Sequence, residues 1–319
     1  MRRILLVTLV AMLSSVCCAK SQKDKGRKLE ALGAITVSGE VGGPNDVSGV
    51  GFVGDFMLFA SNETAHVEVL KKDGTGYKVI APVALGKRKP GAKEHHFDLE
   101  ALAVEGVTVY AIGSHSRVRV KPGEVALAPH RDQLFRFTLA ADGTATDLKS
   151  VSLRPAIEAN ATLKPFAAVP GKEGGVNVEG LAVRDGKLFV GFRSPVLKGD
   201  AVPVMVTTFD KPDANELRFI FLGGHGVRDL TAVQGGFLVL AGPASDAASG
   251  FQLYFWDGTD CAPGANPAGK CELLCKVPHE NKEHPEGLAV TKEDANGYEL
   301  VIVCDGPKNG NPTRYRLKK

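Results

Sequence analysis

The sequence has few aromatic residues, little excess charge and no familiar catalytic signature. Aromatic residues make up 7% of the chain, with a single tryptophan at position 256, and this composition argues against a lectin that stacks sugars on aromatic rings. The formal net charge of +3 gives no indication of a nucleic-acid partner. The Gly-x-Ser-x-Gly, Walker and His-Glu-x-x-His patterns are absent, so the common esterase, nucleotide-binding and zinc-protease signatures find no support.

An apolar run near the start is too short to cross a bilayer. It covers residues 4–13, follows Arg2 and Arg3, and precedes small residues at 17–19. This pattern predicts a signal peptide over residues 1–19. A polar leader over 20–33 and a single domain over 34–319 follow. The protein is therefore expected to be exported, either periplasmic or secreted, and a lipid anchor at Cys17 or Cys18 is the alternative.

Four cysteines remain beyond the predicted signal peptide. Cys261 and Cys271 are separated by nine residues rich in proline, glycine and asparagine, and in an exported protein this spacing predicts a local disulfide. Cys275 and Cys304 lie in different predicted strands, where they either pair or remain buried thiols. A zinc site is disfavoured because the sequence has no Cys-x2-Cys pair.

A short motif recurs five times along the chain. Each copy combines an apolar run with small residues and, in most cases, an acid, and the copies are residues 46–52, 98–104, 177–183, 227–233 and 284–290. A supersecondary unit that repeats at such intervals cannot bury its own faces, so neighbouring copies must stack. The 37 glycines and 18 prolines agree with many short strands joined by turns. The pattern predicts an all-β protein, a β-propeller.

Apolar alternation assigns four strands to each of the first four repeats and three to the last. The segment 34–40 has a strand pattern and no repeat of its own, so it is expected to pair with the last strand and close a five-bladed ring. A six-bladed ring is the alternative, because the insertions 114–131 and 158–176 are long enough to contain a degenerate blade.

Acidic residues recur at one position of the motif. Alignment on the apolar runs places Ser48, Glu100, Glu179, Asp229 and Glu286 together at the mouth of the channel. Carboxylates about 8 Å apart would repel by about 0.5 kcal/mol per pair in water and by about 2 kcal/mol at an effective dielectric constant of 20. A bound cation, protonation, or the bases Arg193 and Arg228 would offset this repulsion. The four acids Glu100, Glu179, Asp229 and Glu286 are therefore candidate ligands of calcium or another divalent cation.

The histidines are also predicted to lie at one rim of the propeller. In an up-and-down sheet alternate connections emerge at the same edge, and this places every histidine in or beside loops at the rim where the inner strands begin. These are His66, His95, His96, His115, His130, His225, His279 and His284. Loops on a rigid scaffold commonly carry function, although an exposed histidine is more often simply solvated.

The candidate site residues fall into two groups. Glu179, His284 and Arg193 are the candidate catalytic residues, with His284 as acid or base and Arg193 stabilising developing charge. The candidate ligand-binding residues are Glu100, Asp229, Arg228, His96 and His225. An ion pair between Arg193 and Glu179 with a purely structural role is equally consistent with the sequence.

Several segments together resemble a known family. They are Val178-Glu-Gly-Leu-Ala-Val, Gly191-Phe-Arg-Ser-Pro195, Gly226-Val-Arg-Asp-Leu230, Ala241-Gly-Pro243 and His284-Pro-Glu-Gly-Leu-Ala. The sequence resembles a family of uncharacterised bacterial propeller proteins over most of residues 34–319, and more distantly the esterase-like domains grouped with phytase-like propellers. The resemblance implies an exported propeller. The phytase-like propellers hold calcium through acidic clusters, and Glu100, Glu179, Asp229 and Glu286 would be the matching carboxylates.

Two classes of function fit these observations. The first is a binding protein for a small polar or anionic ligand at the channel mouth, with or without a divalent cation. The second is a metal-assisted hydrolase of phosphate or carboxylate esters. A protein-interaction scaffold is a further alternative, because propellers host many unrelated functions. A monomer is expected, with either a small molecule or another protein as the partner.

Overall fold

The computed structural model describes residues 26–86, 96–244 and 250–319. The predicted signal peptide, with Cys17 and Cys18, and His95 lie outside the described residues. Within the described part of the chain no helix is both long and apolar enough to cross a membrane.

The chain folds almost entirely as antiparallel strands in five sheets arranged around a ring. The first sheet contains β2 (Val37–Ser38), β3 (Val47–Val53), β4 (Phe56–Ser61), β5 (His66–Asp73), β6 (Gly76–Val79) and β7 (Val83–Ala84). The second contains β8 (Leu99–Glu105), β9 (Thr108–Gly113), β12 (Leu134–Leu139) and β13 (Ala145–Val151), with a separate hairpin of β10 (Val118–Lys121) and β11 (Glu124–Ala126).

The other three sheets are four-stranded. The third contains β14 (Asn177–Arg184), β15 (Lys187–Ser194), β16 (Ala201–Thr208) and β17 (Lys211–Phe221). The fourth contains β18 (Gly226–Val233), β19 (Gly236–Gly242), β20 (Phe251–Trp256) and β21 (Cys271–Val277). The fifth contains β22 (His284–Asp294), β23 (Gly297–Asp305), β24 (Thr313–Lys318) and the N-terminal β1 (Leu29–Ala34).

Each sheet is one blade of a five-bladed β-propeller, so the predicted fold is confirmed. The inner strands β3, β8, β14, β18 and β22 contact one another in a closed cycle around the channel. Five separate apolar clusters fill the five spaces between neighbouring blades. The blades are therefore held by burial of apolar side chains between sheets.

The closing strand differs from the predicted one. Residues Leu29–Ala34, of which all but Ala34 are assigned from the sequence to the polar leader, pair with β24, with Leu29 opposite Leu317. The predicted strand 34–40 instead crosses to the first blade, where Val37 pairs with Tyr77. The physical reason is the burial of Ile35 between the last and first blades, which divides this segment between the two sheets.

The insertion in and after the second blade contains no sixth blade. Its described residues form the β10–β11 hairpin, a short helix α1 (Arg154–Ala159) and two 3-10 turns at Lys164–Phe166 and Gly171–Glu173. Leu153, Ile157 and Leu163 are buried in the cluster between the second and third blades. The insertion therefore fills a space between two blades and forms part of the rim.

The expected disulfide does not form. No disulfide joins any of the described cysteines, and the sulfur of Cys261 lies 3.6 Å from the carbonyl oxygen of Thr259 as a weak donor. Burial raises the pKa of the Cys261 thiol to about 12, with Asp257 and Asp260 adding to the shift. A high thiol pKa opposes the thiolate that disulfide exchange needs. Cys275 and Cys304 are both buried in the cluster between the fourth and fifth blades.

Small residues where the inner strands meet are required by close backbone contact. A Cβ added at Gly287 would lie 2.9 Å from the Cα of Gly49 and 3.0 Å from the backbone nitrogen of Val50. We expect Gly287→Ala to lower the free energy of unfolding by about 1–3 kcal/mol, because the backbones of two blades must separate. Urea denaturation measures this change.

The matched control is Gly51→Ala, also in an inner strand. A Cβ at Gly51 would lie 3.1 Å from the side chain of Val104 and 3.7 Å from that of Leu102, with no backbone atom among its nearest neighbours. We expect a smaller loss, below about 1 kcal/mol. Equal losses for the two variants would contradict the close-contact explanation.

Candidate functional site

Every inner strand carries a β-bulge near its start, at the same position in each blade. The pairing register shifts around Ser48, Glu100, Glu179, Arg228 and Glu286. A bulge leaves one residue outside the regular pairing and redirects its side chain. Glu100, Glu179 and Glu286 line a single cavity at the channel mouth, and Arg228 lines a smaller pocket beside it. The five bulges therefore form one ring around the mouth.

Arg228 occupies the ring position that the sequence alignment gave to Asp229. Alignment on the apolar residues misplaces the fourth blade by one position. In the structure its apolar run lies one residue nearer the hairpin turn than the apolar run of the third blade does. Asp229 instead sits where the other blades have glycine or alanine. Its carboxylate is fully buried and accepts the backbone N–H groups of Leu230 and Leu288, each at 2.8 Å. Asp229 thus links the fourth and fifth blades and does not join the acids of the cavity.

Arg228 connects two acids of the ring. Its guanidinium forms an ion pair with Glu179 and a second with Glu286, at 3.1 Å. Arg193 donates to the other oxygen of Glu179 at 2.9 Å. The amide of Asn177 donates to Glu179 at 2.7 Å. The carboxylate repulsion expected from the sequence is therefore offset by two arginines.

Two of the ring acids are unusually hard to ionise. Burial raises the pKa of Glu100 well above its usual value, and the negative charges of Asp98, Glu179 and Glu286 raise it further. Burial raises the pKa of Glu286 to about 8, although Arg228 opposes the shift. Each carboxyl therefore keeps its proton to a higher pH than it would in water, and when protonated it donates a hydrogen bond that a carboxylate cannot.

The cavity at the channel mouth has a volume of about 640 Å³, and most of the residues that line it are polar or charged. Asp98, at the start of the second blade, forms an ion pair with Arg131 at 2.9 Å. On the outer side the β10–β11 hairpin supplies Arg119, whose guanidinium binds both carboxylate oxygens of Glu173. Lys172 lies beside Glu173 in the same lining. The cavity therefore combines acids and bases from three blades and the insertion.

Buried polar contacts fix the insertion that forms this outer wall. Arg154 donates to Asp132 at 2.8 Å and to the carbonyl oxygen of Ala167 at 3.1 Å. His115 accepts the backbone N–H of Leu153 at Nε2, so its Nδ1 carries the proton that is donated to the Gly113 carbonyl. Burial lowers the pKa of His115 to about 4. This histidine is a neutral structural residue at physiological pH.

The structure brings some of the predicted site residues together and separates others. Glu100, Glu179, Glu286, Arg193, Arg228 and His284 all line the cavity or the adjoining pocket. Asp229 lies within the contact between blades. His96 forms an exposed ion pair with Glu63, and the imidazole of His225 is hydrogen-bonded to the Leu222 carbonyl. Neither of these two histidines lines the cavity.

Sequence reasoning did not single out several residues of the lining. Asp98, Arg131 and Lys172 are examples. Asp98 immediately precedes an inner strand, and its place in the second motif was the available signal. Lys172 lies in the insertion, outside every repeat, so no sequence pattern placed it near the channel.

Comparison with known protein families identifies the family of this chain. Residues 46–138 and 125–316 match the family described as protein of unknown function, DUF3616. The chain belongs to this family. No curated protein matches the sequence.

Solved structures with a similar chain path are distant in sequence. The PQQ-bound aldose sugar dehydrogenase from Streptomyces coelicolor is 13% identical, with 93% of this chain and 99% of that chain covered and a TM-score of 0.46. A putative glucose dehydrogenase from Thermus thermophilus is 14% identical, with 92% and 100% covered and a TM-score of 0.44.

The exo-β-1,3-galactanase from Phanerochaete chrysosporium with galactose is 10% identical, with 91% of this chain and 64% of that chain covered and a TM-score of 0.48. Because all three scores lie below 0.5, these similarities do not bear on the activity of this DUF3616 protein.

The ring does not have the geometry of a divalent-cation site. Among the described residues, no three His, Cys, Asp or Glu side chains are arranged so that they could hold a metal ion. Both oxygens of Glu179 are bound by arginines, and Asp229 is committed to backbone N–H groups. The positive charge between Glu179 and Glu286 is a guanidinium, so the residues present do not fit the calcium that the phytase-like resemblance implies.

Removing Arg228 would leave buried carboxylates without their shared partner. We expect Arg228→Met to lower the free energy of unfolding at pH 7 by about 3–5 kcal/mol, because breaking a buried ion pair from one side costs this much. The loss should be smaller at pH 5, because Glu286, whose pKa burial raises to about 8, is more fully protonated at the lower pH. Chemical denaturation at the two pH values measures both effects.

Arg316→Met provides the control for this variant. Arg316 forms an exposed ion pair with Glu299 on the fifth blade, and exposed pairs contribute little to stability. We expect near wild-type stability at both pH values. An Arg228→Met protein as stable as this control would contradict the role of Arg228 in the ring.

The raised pKa of Glu286 predicts a specific pH dependence of stability. A carboxyl whose pKa is higher in the folded than in the unfolded protein stabilises the fold fully at low pH and loses that contribution as pH rises. For Glu286 the window runs from the unfolded value of 4.5 to about 8. One proton corresponds to a slope of at most about 1.4 kcal/mol per pH unit.

Glu286→Gln tests this expectation because it cannot titrate. The difference in unfolding free energy between wild type and variant should shift steadily in favour of the variant as pH rises through this window. Denaturation at closely spaced pH values gives the difference. A difference independent of pH would show that the ionisation of Glu286 is not linked to folding.

Proposed function

We propose that this protein binds a small polar molecule in the cavity at the channel mouth. The observation that carries the proposal is the convergence of Glu100, Glu179, Arg228 and Glu286, all on equivalent bulges, at one cavity and the pocket beside it. Buried ion pairs are often no better for stability than apolar residues of similar size. A cluster of perturbed acids that opens into a cleft is therefore a candidate functional site.

The lining determines which ligand chemistry the cavity favours. Burial raises the pKa of Glu100, so this carboxyl offers a hydrogen-bond donor when it is protonated, and the ion-paired carboxylates offer acceptors. The guanidinium groups of Arg131 and Arg193 add charged donors to the lining. The cavity of about 640 Å³ falls within the range of small-molecule sites, about 300–1,000 Å³. A ligand rich in hydroxyl or charged oxygen groups fits this lining better than an apolar one.

Thermal melts with defined probes test the proposal. The probes are glucose, glycerol, glycine, acetate and inorganic phosphate, each in molar excess, and a ligand that binds the folded state raises the melting temperature. Isothermal titration then gives the affinity of the best probe. If no probe raises the melting temperature or gives a heat of binding, the proposal is contradicted.

Substitutions at Glu100 locate the binding within the cavity. Gln resembles a protonated glutamic acid in shape and keeps a donor and an acceptor, so we expect Glu100→Gln to bind within about threefold of wild type. Glu100→Ala should bind about tenfold more weakly, since it leaves buried polar groups unpaired. Glu105→Ala, at the other end of the same strand, is the control and should bind as wild type does.

A hydrolase is the second candidate function, because a protonated carboxyl beside an ion-paired carboxylate is an arrangement suited to acid and base chemistry. A water would attack the ester, His284 would accept the proton of that water, and Glu100 would protonate the leaving group. Glu179 would orient the site with Arg193. Nitrophenyl esters and phosphates, assayed with and without added calcium, test for turnover. Loss of turnover in Glu100→Gln with binding retained would support hydrolysis, whereas absence of turnover in the wild type would leave binding alone.

Export to the periplasm or the exterior remains a prediction from the first 19 residues. A binding site for a small polar molecule is compatible with that location, and cell fractionation of the full-length chain tests it.

A further inference from the structure

A second, smaller pocket adjoins the mouth cavity and has a different charge. Its volume is about 230 Å³, and its lining contains four basic side chains, Lys172, Arg193, Arg228 and His284, and two acids, Glu286 and Asp305. A water molecule takes about 30 Å³ in the liquid, so the pocket holds several waters or one small anionic group. We call it the side pocket.

The negative charges of the two acids in the side pocket are already compensated by their surroundings. Glu286 forms its ion pair with Arg228 at 3.1 Å, and burial raises the pKa of its carboxyl, as it does for Asp305. Arg193 is held in place by the carbonyl oxygen of Pro243, which accepts from Nε at 3.0 Å, and by Glu179. The lining therefore favours negative charge in the space between these residues.

Two further observations point to a ligand with acceptor oxygens. Arg228 is 4% exposed, and its buried Nε–H has no hydrogen-bond acceptor among the described residues. Buried donors are normally paired, so each exception requires an explanation. Lys172 forms no ion pair within the part of the chain that the structure describes, although it lies next to Glu173, which pairs with Arg119.

The geometry points to the side pocket as the binding position for an anionic oxygen group, a phosphate or a carboxylate, of the ligand held in the mouth cavity. Lys172 and His284, which both line the pocket, would contact the group, and Arg193, which lines both spaces, would bind it where the pocket meets the cavity. The inference rests on the proposed function, since it names the chemical class of ligand for that site.

Inorganic phosphate and acetate are the probes, and glucose is the neutral comparison. Titration calorimetry at low salt compares wild type with Lys172→Ala and His284→Asn. We expect each variant to bind the preferred anion about tenfold more weakly, because it loses a charge or a donor close to the anion. Glucose binding should change less than about twofold. The ratio of phosphate to acetate affinity in the wild type shows which anion the pocket prefers.

Lys187→Ala is the matched control for net charge. Lys187 begins β15 at the opposite rim, whereas Arg193 is near the end of the same strand. Its removal should leave anion binding within about twofold of wild type. Equal weakening by Lys172→Ala and Lys187→Ala would show a diffuse charge effect and overturn the inference.

The possible failures are distinguishable. If glucose or another neutral probe binds and neither anion does, the side pocket is not an anion site and the proposed function stands. If no probe of any class binds, both the proposed function and this inference are overturned. Circular dichroism confirms that each variant retains its strands, and Lys172→Arg should restore anion binding if the charge at this position is what matters.

Discussion

The ion pairs of Arg228 with Glu179 and Glu286 are the interaction on which the polar end of the channel depends. A five-bladed ring brings its inner strands close together, so any residues on equivalent bulges must face one another. Three acids in that position repel one another, and burial raises the pKa of two of them, Glu100 and Glu286. One arginine in the same ring lies between two of them and makes a buried cluster of charges compatible with the fold.

The close approach of the inner strands also explains which residue follows each bulge. The residue after each bulge meets the neighbouring inner strand, so most blades have a glycine or alanine there. Asp229 is the exception, and its carboxylate accepts backbone N–H groups from its own blade and the next. Burial raises the pKa of Asp229, while these donors oppose the shift. The acid expected at the cavity is therefore a structural element between blades.

The site also depends on a segment outside the repeats. The insertion between the second and third blades contributes an apolar face that fills a space between blades. Its polar residues form the outer wall of the cavity and, through Lys172, one side of the side pocket. Arg154 and Asp132 fix this wall by buried contacts. The repeats thus provide a symmetrical ring, and the insertion makes one sector of the mouth different from the others.

The sequence alone determined the five blades, because apolar alternation and repeated motifs are local signals that every blade needs in order to stack. It also placed Glu100, Glu179 and Glu286 at equivalent positions of their blades, at the mouth of the channel. It did not determine the register of the fourth blade. In the first four blades the bulge lies five positions before the residue that precedes the hairpin turn. Counting from the turn would therefore have selected Arg228.

Only the tertiary structure decided the closing strand, the absence of the expected disulfide and the members of the site. The N-terminal segment pairs with the edge of the last blade and also fills an apolar space beside the first blade. The local sequence pattern does not show at which residue the segment passes from one blade to the other. Lys172 and Glu286 come together with Glu100 across long sequence separations. Distances between blades arise from packing of whole sheets, so no local pattern of residues contains them.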